Sequence, residues 1–239
     1  MSTRATLRRW HMWLGWLVGV PMLFWTVSGL VMVARPIEEV RGTALLRDPA
    51  PLFSLSKPAI APRVEGRAVE SLTLAQRSEG PRWVIGFSDS SSRLADPRTG
   101  QLLPTLGAAE AVREVTSRYS GKAKVEAVAR VDPANPPVDF NRPVAAWQVR
   151  MDDGTHFYVD AGSGEVAAKR TRFWRFYDFM WGLHIMDLQD RSDTHNPWIV
   201  TFALLSLAMV VMAIVLLPMA TKRGSKVRRP REARPTIPS

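Results

Sequence analysis

The residues from Trp10 to Val33 constrain this chain most strongly. They form a run of twenty-four residues that contains one histidine and no Asp, Glu, Lys or Arg. As an α-helix rising about 1.5 Å per residue, the run would be roughly 36 Å long, which is enough to cross a hydrocarbon core of about 30 Å. A second uncharged run, from Pro197 to Met219, has a similar length. The pattern predicts two transmembrane helices in a lipid bilayer, at 10–34 and 196–220.

The basic residues flank these spans. Three arginines precede the first span, and the tail from Thr221 has a net charge of +6, out of +10 for the whole chain. The positive-inside rule therefore places both termini, 1–9 and 221–239, in the cytoplasm of a bacterial inner membrane, and the residues between the spans in the periplasm. We expect the first span to be retained, because it is longer than the apolar region of a signal peptide. Basic residues in these positions indicate contact with anionic lipid and no nucleic-acid role.

The chain has no cysteine. This excludes disulfides, cysteine-ligated iron–sulfur clusters, thiolate zinc sites and covalently attached c-type haem within the chain. Any metal or haem must be bound by histidine, methionine or carboxylate side chains.

The region between the spans contains an internal repeat at an offset of 64 residues. The sequences WVIGFSDSSSRLADPRTG (83–100) and WQVRMDDGTHFYVDAGSG (147–164) align without a gap. Each predicts a strand, a tight turn, a second strand and a closing turn, so the region contains two related hairpins. The identical pairs are Trp83 and Trp147, Asp89 and Asp153, Asp96 and Asp160, and Gly100 and Gly164.

Other elements complete a predicted α+β domain over 67–170, which follows a connector at 35–66. Apolar residues at helical spacing predict a helix within Leu106–Tyr119, and alternating residues predict strands. We expect the helix to pack on the antiparallel hairpins. The predicted strands are Glu70–Arg77 and Lys124–Val131, the latter with Val125, Ala127 and Ala129 on one face.

An aromatic segment joins the domain to the second span. Aromatic residues at helical spacing within 171–195 predict an amphipathic helix in the outer membrane interface. Asn196 is a favourable N-cap, and Pro197 suits the first position of the second span. His195 therefore lies just outside that span.

Several motifs resemble those of a known family. The segment His156–Glu165 resembles the end of a PepSY domain. Together with Arg8-x-x-His11-x-x-x-Gly15 entering the first span and Thr26-Val27-Ser28-Gly29 leaving it, the order of motifs over residues 5–222 resembles the PepSY-associated transmembrane family. That family includes inner-membrane proteins of siderophore uptake and ferrisiderophore reductases, some of which carry b-type haem. The resemblance implies a haem-b-binding electron-transfer component in siderophore-iron reduction or uptake, with a ferric siderophore as a partner.

Three histidines lie beside the spans: His11, His184 and His195. Imidazole is the common axial ligand of b-type haem, and Asp187 would hold the second ring nitrogen of His184 if the helix continued. The competing interpretation is that these histidines are interfacial anchors or helix starts. His156 is expected to be an exposed sheet residue.

The predicted topology separates the histidines. His11 lies near the cytoplasmic face, and His184 and His195 lie about 30 Å away near the external face, so one haem cannot bridge them. A homodimer would supply four helices and symmetry-related histidines at each face. In this hypothesis His11 pairs across the dimer, and His184 pairs with its mate or with His195.

Two other functions remain open on sequence grounds. One is a non-enzymatic, membrane-tethered binding or regulatory module, in which the periplasmic domain engages a protein or peptide. The other is copper handling through Met180, His184 and Met186, whose ligand types suit copper(I) but whose spacing does not place them on one helical face. No motif for a nucleotide cofactor or for hydrolysis is present, so an electron donor would be a separate component.

Overall fold

The computed structural model describes residues 3–51, 58–64 and 66–221. The chain divides into two compact units. The first combines the residues up to Met32 with those from Phe179 onwards, and we call it the membrane unit; the second, Val33–Asp178, we call the central unit. The predicted basic tail from residue 222 onwards, and residues 52–57 and 65 of the predicted connector, lie outside the described residues.

Two helices of the membrane unit are long and apolar enough to cross a membrane. Helix α1 spans Thr3–Val33 and begins seven residues before the predicted span, whereas α5 spans Pro197–Thr221. Large apolar side chains are exposed along both helices, including Trp16 and Leu204. Such surfaces are suited to contact with lipid or with other apolar helices.

Asn196 fixes the beginning of α5, as the sequence predicts. Its Oδ1 accepts the main-chain N–H groups of Trp198 and Ile199, each at 3.1 Å. Its Nδ2 donates to the carbonyl oxygens of Ile185, at 2.8 Å, and Asp193, at 2.9 Å. Asn196 is therefore both the helix cap and the residue that closes the loop before α5.

The central unit has the predicted α+β architecture. A three-stranded antiparallel sheet has the order β1 (Val69–Arg77), β2 (Gly80–Phe87), β3 (Ser92–Ala95). A four-stranded antiparallel sheet has the order β4 (Val125–Val131), β5 (Ala146–Met151), β6 (His156–Asp160), β7 (Val166–Arg170). A short helix, α2 (Ile37–Val40), and a 3-10 turn (Thr43–Leu45) precede them, and α4 (Arg172–His184) follows. The residues of α4 from Phe179 onwards, including His184, belong to the membrane unit. The helix α3 (Ala108–Thr116) lies between the two sheets in the sequence.

The internal repeat recurs in the hydrogen bonding of its closing turns. Gly100 donates its N–H to the carbonyl of Asp96 at 2.8 Å, and Gly164 donates to that of Asp160 at 2.9 Å. The two glycines have φ angles of +70° and +69°, in the left-handed region that glycine adopts without steric cost. The matched Asp-x-x-x-Gly segments therefore form the same turn.

The hairpin turns also match. Asp89 Oδ1 accepts the N–H of Ser91 at 3.0 Å, and Asp153 Oδ1 accepts that of Thr155 at 2.8 Å. Aspartate stabilises a turn in this way by binding the main chain two residues on. The sequence repeat is thus a structural repeat of hairpins.

One face of the four-stranded sheet packs against α3. Ala111 and Val115 of the helix are buried with Val149 and Phe157 of the sheet. The predicted apolar face of β4 is wrong after Val125, because the register shifts by one residue between Val125 and Ala127. Such a bulge reverses the alternation of side chains, so Val128 contacts this core and Ala129 is exposed.

The opposite face of the sheet holds a polar cluster around Tyr158. The buried Tyr158 ring stacks on Phe140 at 4.5 Å, and its hydroxyl donates to Asp139 Oδ1 and accepts from Gln148 Nε2, each at 2.6 Å. His156 Nδ1 lies 3.1 Å from Asp139 Oδ2. The prediction of an exposed His156 is wrong, since only 21% of its side chain is accessible. The segment that carries Asp139 covers this face.

We predict that Tyr158→Phe destabilises the protein and alters its response to alkali. Removing the hydroxyl takes away one hydrogen bond from Asp139 Oδ1 and one from Gln148 Nε2 in a largely buried cluster, at a cost of about 1–3 kcal/mol. Burial, reinforced by the bond to Asp139, raises the pKa of Tyr158. The folded state therefore holds this proton more tightly, and its contribution to stability is lost as pH rises above about 10.

Denaturant unfolding in detergent at neutral pH and above pH 10 measures both effects. Tyr177→Phe, in α4, is the matched control and should behave as wild type. An equal decline in stability with pH in wild type and Tyr158→Phe would contradict the prediction.

Candidate functional site

His184, the last residue of α4, contacts the carboxyl-terminal part of α1. Its Nδ1 lies 3.1 Å from the main-chain carbonyl oxygen of Trp25 and 3.1 Å from Ser28 Oγ. The imidazole stacks on the Trp25 indole, with the ring centroids 4.6 Å apart and the planes inclined by 20°. We call Trp25, Ser28, Gly29 and His184 the histidine seat.

The contacts of the seat favour one tautomer of His184, the one with the proton on Nδ1. A carbonyl oxygen only accepts hydrogen bonds, so the contact with Trp25 is a hydrogen bond only when the proton is on Nδ1. Ser28 Oγ donates its own proton to the same carbonyl at 2.9 Å and is left as a second acceptor for Nδ1–H. The neutral ring therefore keeps its lone pair on Nε2.

Gly29 provides the space that the ring occupies. A Cβ atom at this position would lie 3.2 Å from Cε1 and 3.6 Å from Nδ1 of His184. The first distance is shorter than an ordinary van der Waals contact. A glycine beside the fully buried Ser28 therefore lets the imidazole edge approach the helix.

Asp187 does not hold His184, contrary to the sequence-based prediction. The helix ends at His184, so the expected one-turn spacing is lost. The carbonyl of Trp25 takes the role that was expected of the carboxylate. Hydrogen bonds from main-chain N–H groups, that of Asp193 foremost, lower the pKa of Asp187. The carboxylate instead accepts the N–H groups of Asp190, Ser192 and Asp193 at 3.1–3.2 Å.

His195 is exposed and belongs to the loop before α5. Its Nδ1 lies 3.1 Å from Thr194 Oγ1, and its N–H donates to the Asp193 carboxylate at 2.8 Å. The bond from Asn196 to Ile185 joins the residues that follow His195 and His184. Within the described part of the chain, no hydrogen bond or ring contact links the two histidines themselves.

His11 lies far from the seat on the same helix. It precedes Ser28 by seventeen residues, or about 26 Å along an α-helix. Among the described residues, its buried Nδ1 has no hydrogen-bond partner. His11 and His184 of one chain therefore cannot bind the same small cofactor. His11 lines a groove of about 660 Å³ with Arg8, Met12, Gly15, Trp16, Gly19 and Val20.

The three predicted copper ligands do not all lie on the same helix. Met180 and His184 are one turn apart on α4, whereas Met186 lies beyond the helix end with a φ of +58°. Within residues 3–51, 58–64 and 66–221, no group of three or more His, Cys, Asp or Glu side chains is placed to hold a metal ion. Copper binding stays a prediction from the sequence.

Comparison with known proteins identifies the family. A family model described as the PepSY-associated TM region matches residues 8–237. The chain belongs to this family. No curated protein and no solved structure matches the chain. Family membership and the two apolar helices together make this a membrane protein with a PepSY-like α+β domain.

In this PepSY-associated TM protein, the end of the Thr26–Gly29 motif meets His184 of α4 in the histidine seat. Ser28 and Gly29 end the motif that leaves the first span, and His184 lies 156 residues after Ser28. Sequence analysis selected His184 but missed the three residues that hold it. The small residues Ser28 and Gly29 indicate that another element can pack closely against α1. Their spacing does not show that this element carries His184, which is far away in the sequence.

We predict that Gly29→Ala displaces the imidazole of His184, because the added methyl group would overlap Cε1. The resulting longer bond to Trp25 should change the ¹⁵N and ¹H shifts of the His184 ring, at a cost of about 0.5–1.5 kcal/mol for a weakened hydrogen bond. NMR spectra of histidine-labelled protein in lipid nanodiscs measure this change.

Gly19→Ala is the matched control, since an added Cβ there has no neighbour within 4 Å. It should leave the His184 resonances unchanged. Identical His184 shifts in wild type and Gly29→Ala would show that the seat is not as close as described.

Proposed function

We propose that this protein is a haem-b-binding electron-transfer component of the bacterial inner membrane that acts in the reduction or uptake of siderophore-bound iron. The observation that carries the proposal is the contact between His184 Nδ1 and the Trp25 carbonyl. Histidines that bind metals commonly donate their other ring N–H to a carbonyl or carboxylate. His184 has this second contact, and its Nε2 would be the atom that binds haem iron.

The residues of the seat fit a noncovalent haem. The ligand atom is an imidazole nitrogen, and a chain without cysteine cannot attach haem through thioether bonds. Trp25 and the exposed apolar side chains of α1 offer the kind of surface that an apolar macrocycle contacts. Bound haem would supply one-electron transfer, while Trp25 and Ser28 keep the His184 ring in place.

A second axial ligand is proposed to come from a second copy of the chain or from His195. His11 is too far along α1 to serve the same iron. The most apolar stretch of α5 has no buried residue, which leaves its surface available to a partner helix or to lipid. In a homodimer, two histidine seats would lie near one face of the membrane, and two His11 side chains would lie near the opposite face.

The proposed orientation places the central unit in the periplasm and the start of α1 in the cytoplasm. Arg4, Arg8 and Arg9 at the start of α1 support it through the positive-inside rule. Because the sequence has no nucleotide-binding motif, electrons would come from a separate donor. The acceptor would be a ferric siderophore on the side of the central unit.

Optical spectra of detergent-purified protein, oxidised and dithionite-reduced, test the proposal. We predict a six-coordinate b-type haem in wild type and at least a tenfold loss of haem affinity in His184→Ala, because an axial ligand is removed. His11→Ala should lower the haem content only if a second haem binds near the start of α1.

His156→Gln is the histidine control, since Gln retains a donor for Asp139 and the residue lies in the central unit. Its spectrum should match that of wild type. Folded wild-type protein that stays haem-free when haem is supplied would contradict the proposal and favour the tethered binding module.

A further inference from the structure

We infer that Ser28 is a positioning residue that fixes His184 in its Nδ1–H tautomer and thereby presents Nε2 as the free ring nitrogen. The tautomer is a property of the protein without cofactor. Its importance for haem binding rests on the proposed function.

The direction of the Ser28 hydroxyl assigns its role. Ser28 Oγ donates to the Trp25 carbonyl at 2.9 Å, so the hydroxyl proton points away from His184. The lone pairs of Oγ then face Nδ1, which lies 3.1 Å away. With Trp25 O, the imidazole edge meets two acceptors, and a proton on Nδ1 satisfies both. With the ring proton on Nε2, the Nδ1 lone pair would face the Trp25 carbonyl oxygen, and the Ser28 hydroxyl would have to turn from that carbonyl to donate to Nδ1.

The burial of Ser28 supports the same role. Ser28 and Val18 are the buried residues of α1, and Ser28 is fully inaccessible. A buried hydroxyl is costly unless it is hydrogen-bonded. The bond to Trp25 O is internal to the helix, whereas the contact with His184 is with another element. The contact with His184 therefore accounts for a buried hydroxyl at this position of α1.

Packing fixes the orientation of the ring together with its proton. Stacking on Trp25 sets the ring plane, and the missing side chain at Gly29 admits the edge that carries Cε1 and Nδ1. A flipped ring would direct Cδ2 at the two acceptors and lose both hydrogen bonds. A donor contact at Nδ1 also makes the opposite nitrogen a stronger ligand.

Thr26 provides a matched control on the same helix. Its Oγ1 donates to the Met22 carbonyl at 2.8 Å, which is the same kind of bond that Ser28 makes within the helix. The Thr26 hydroxyl is exposed and has no contact with His184. Thr26→Val therefore removes a comparable hydroxyl without touching the seat.

The first measurement is ¹⁵N NMR of histidine-labelled, haem-free full-length protein in lipid nanodiscs, at a pH where the imidazoles are neutral. His184→Gln assigns the His184 signals. Wild type and Thr26→Val should show a protonated Nδ1 and an unprotonated Nε2, whereas Ser28→Ala should show a mixture of tautomers. A wild-type ring protonated on Nε2, or an unchanged tautomer in Ser28→Ala, would overturn the inference.

Haem titration of the same proteins separates this inference from the proposed function. Ser28→Ala should bind haem roughly tenfold more weakly than wild type, and Thr26→Val should bind as wild type does. If none of these three proteins binds haem, but Ser28→Ala alone changes the His184 tautomer, the positioning role is upheld and the proposed haem function fails. If wild type binds haem and Ser28→Ala binds it equally well, the positioning role is overturned.

Discussion

The contact between His184 Nδ1 and the Trp25 carbonyl is the interaction on which the candidate site depends. It joins the last residue of α4 to the first membrane helix, and Ser28 and Gly29 are the residue types that this approach requires. Such a hydrogen bond is stronger in apolar than in aqueous surroundings. This bond, the stacking on Trp25 and the contact with Ser28 together set the position and the plane of the ring.

A second polar connection limits the freedom of the same region. Asn196 caps α5 and also binds the carbonyl of Ile185, the residue after His184. The Asp187 carboxylate orders the loop between them through main-chain N–H groups. The end of α4 is thus tied both to α1 and to the start of α5. This arrangement restricts the positions that His184 can adopt.

Local patterns predicted much of the fold, because the forces that set these features act over a few residues. The uncharged runs, the Asn196 cap and the repeated Asp-turn hairpins are each encoded within a short segment. The bulge in β4 was missed, since an extra residue leaves no mark in the alternation of small and charged side chains. The cover over His156 was missed because it comes from a loop seventeen residues earlier.

The candidate site was predictable only in part, because its residues are far apart in the sequence. His184 could be selected by its chemistry and its place beside a span. Its partners lie on another helix and include a main-chain carbonyl, whose availability no side-chain pattern reveals. The nearby Asp187 was the expected partner because it is close in sequence, but the helix end directs it elsewhere.

The most direct test of this account is a solid-state NMR dipolar measurement between ¹³C-labelled Trp25 carbonyl carbon and ¹⁵N-labelled His184 Nδ1 in lipid bilayers, with Trp25→Phe used to assign the carbonyl signal. A hydrogen bond of 3.1 Å between nitrogen and oxygen predicts a clear carbon–nitrogen coupling. Its presence in haem-free protein would establish that the seat forms without a cofactor. The absence of coupling in folded protein would contradict the central claim.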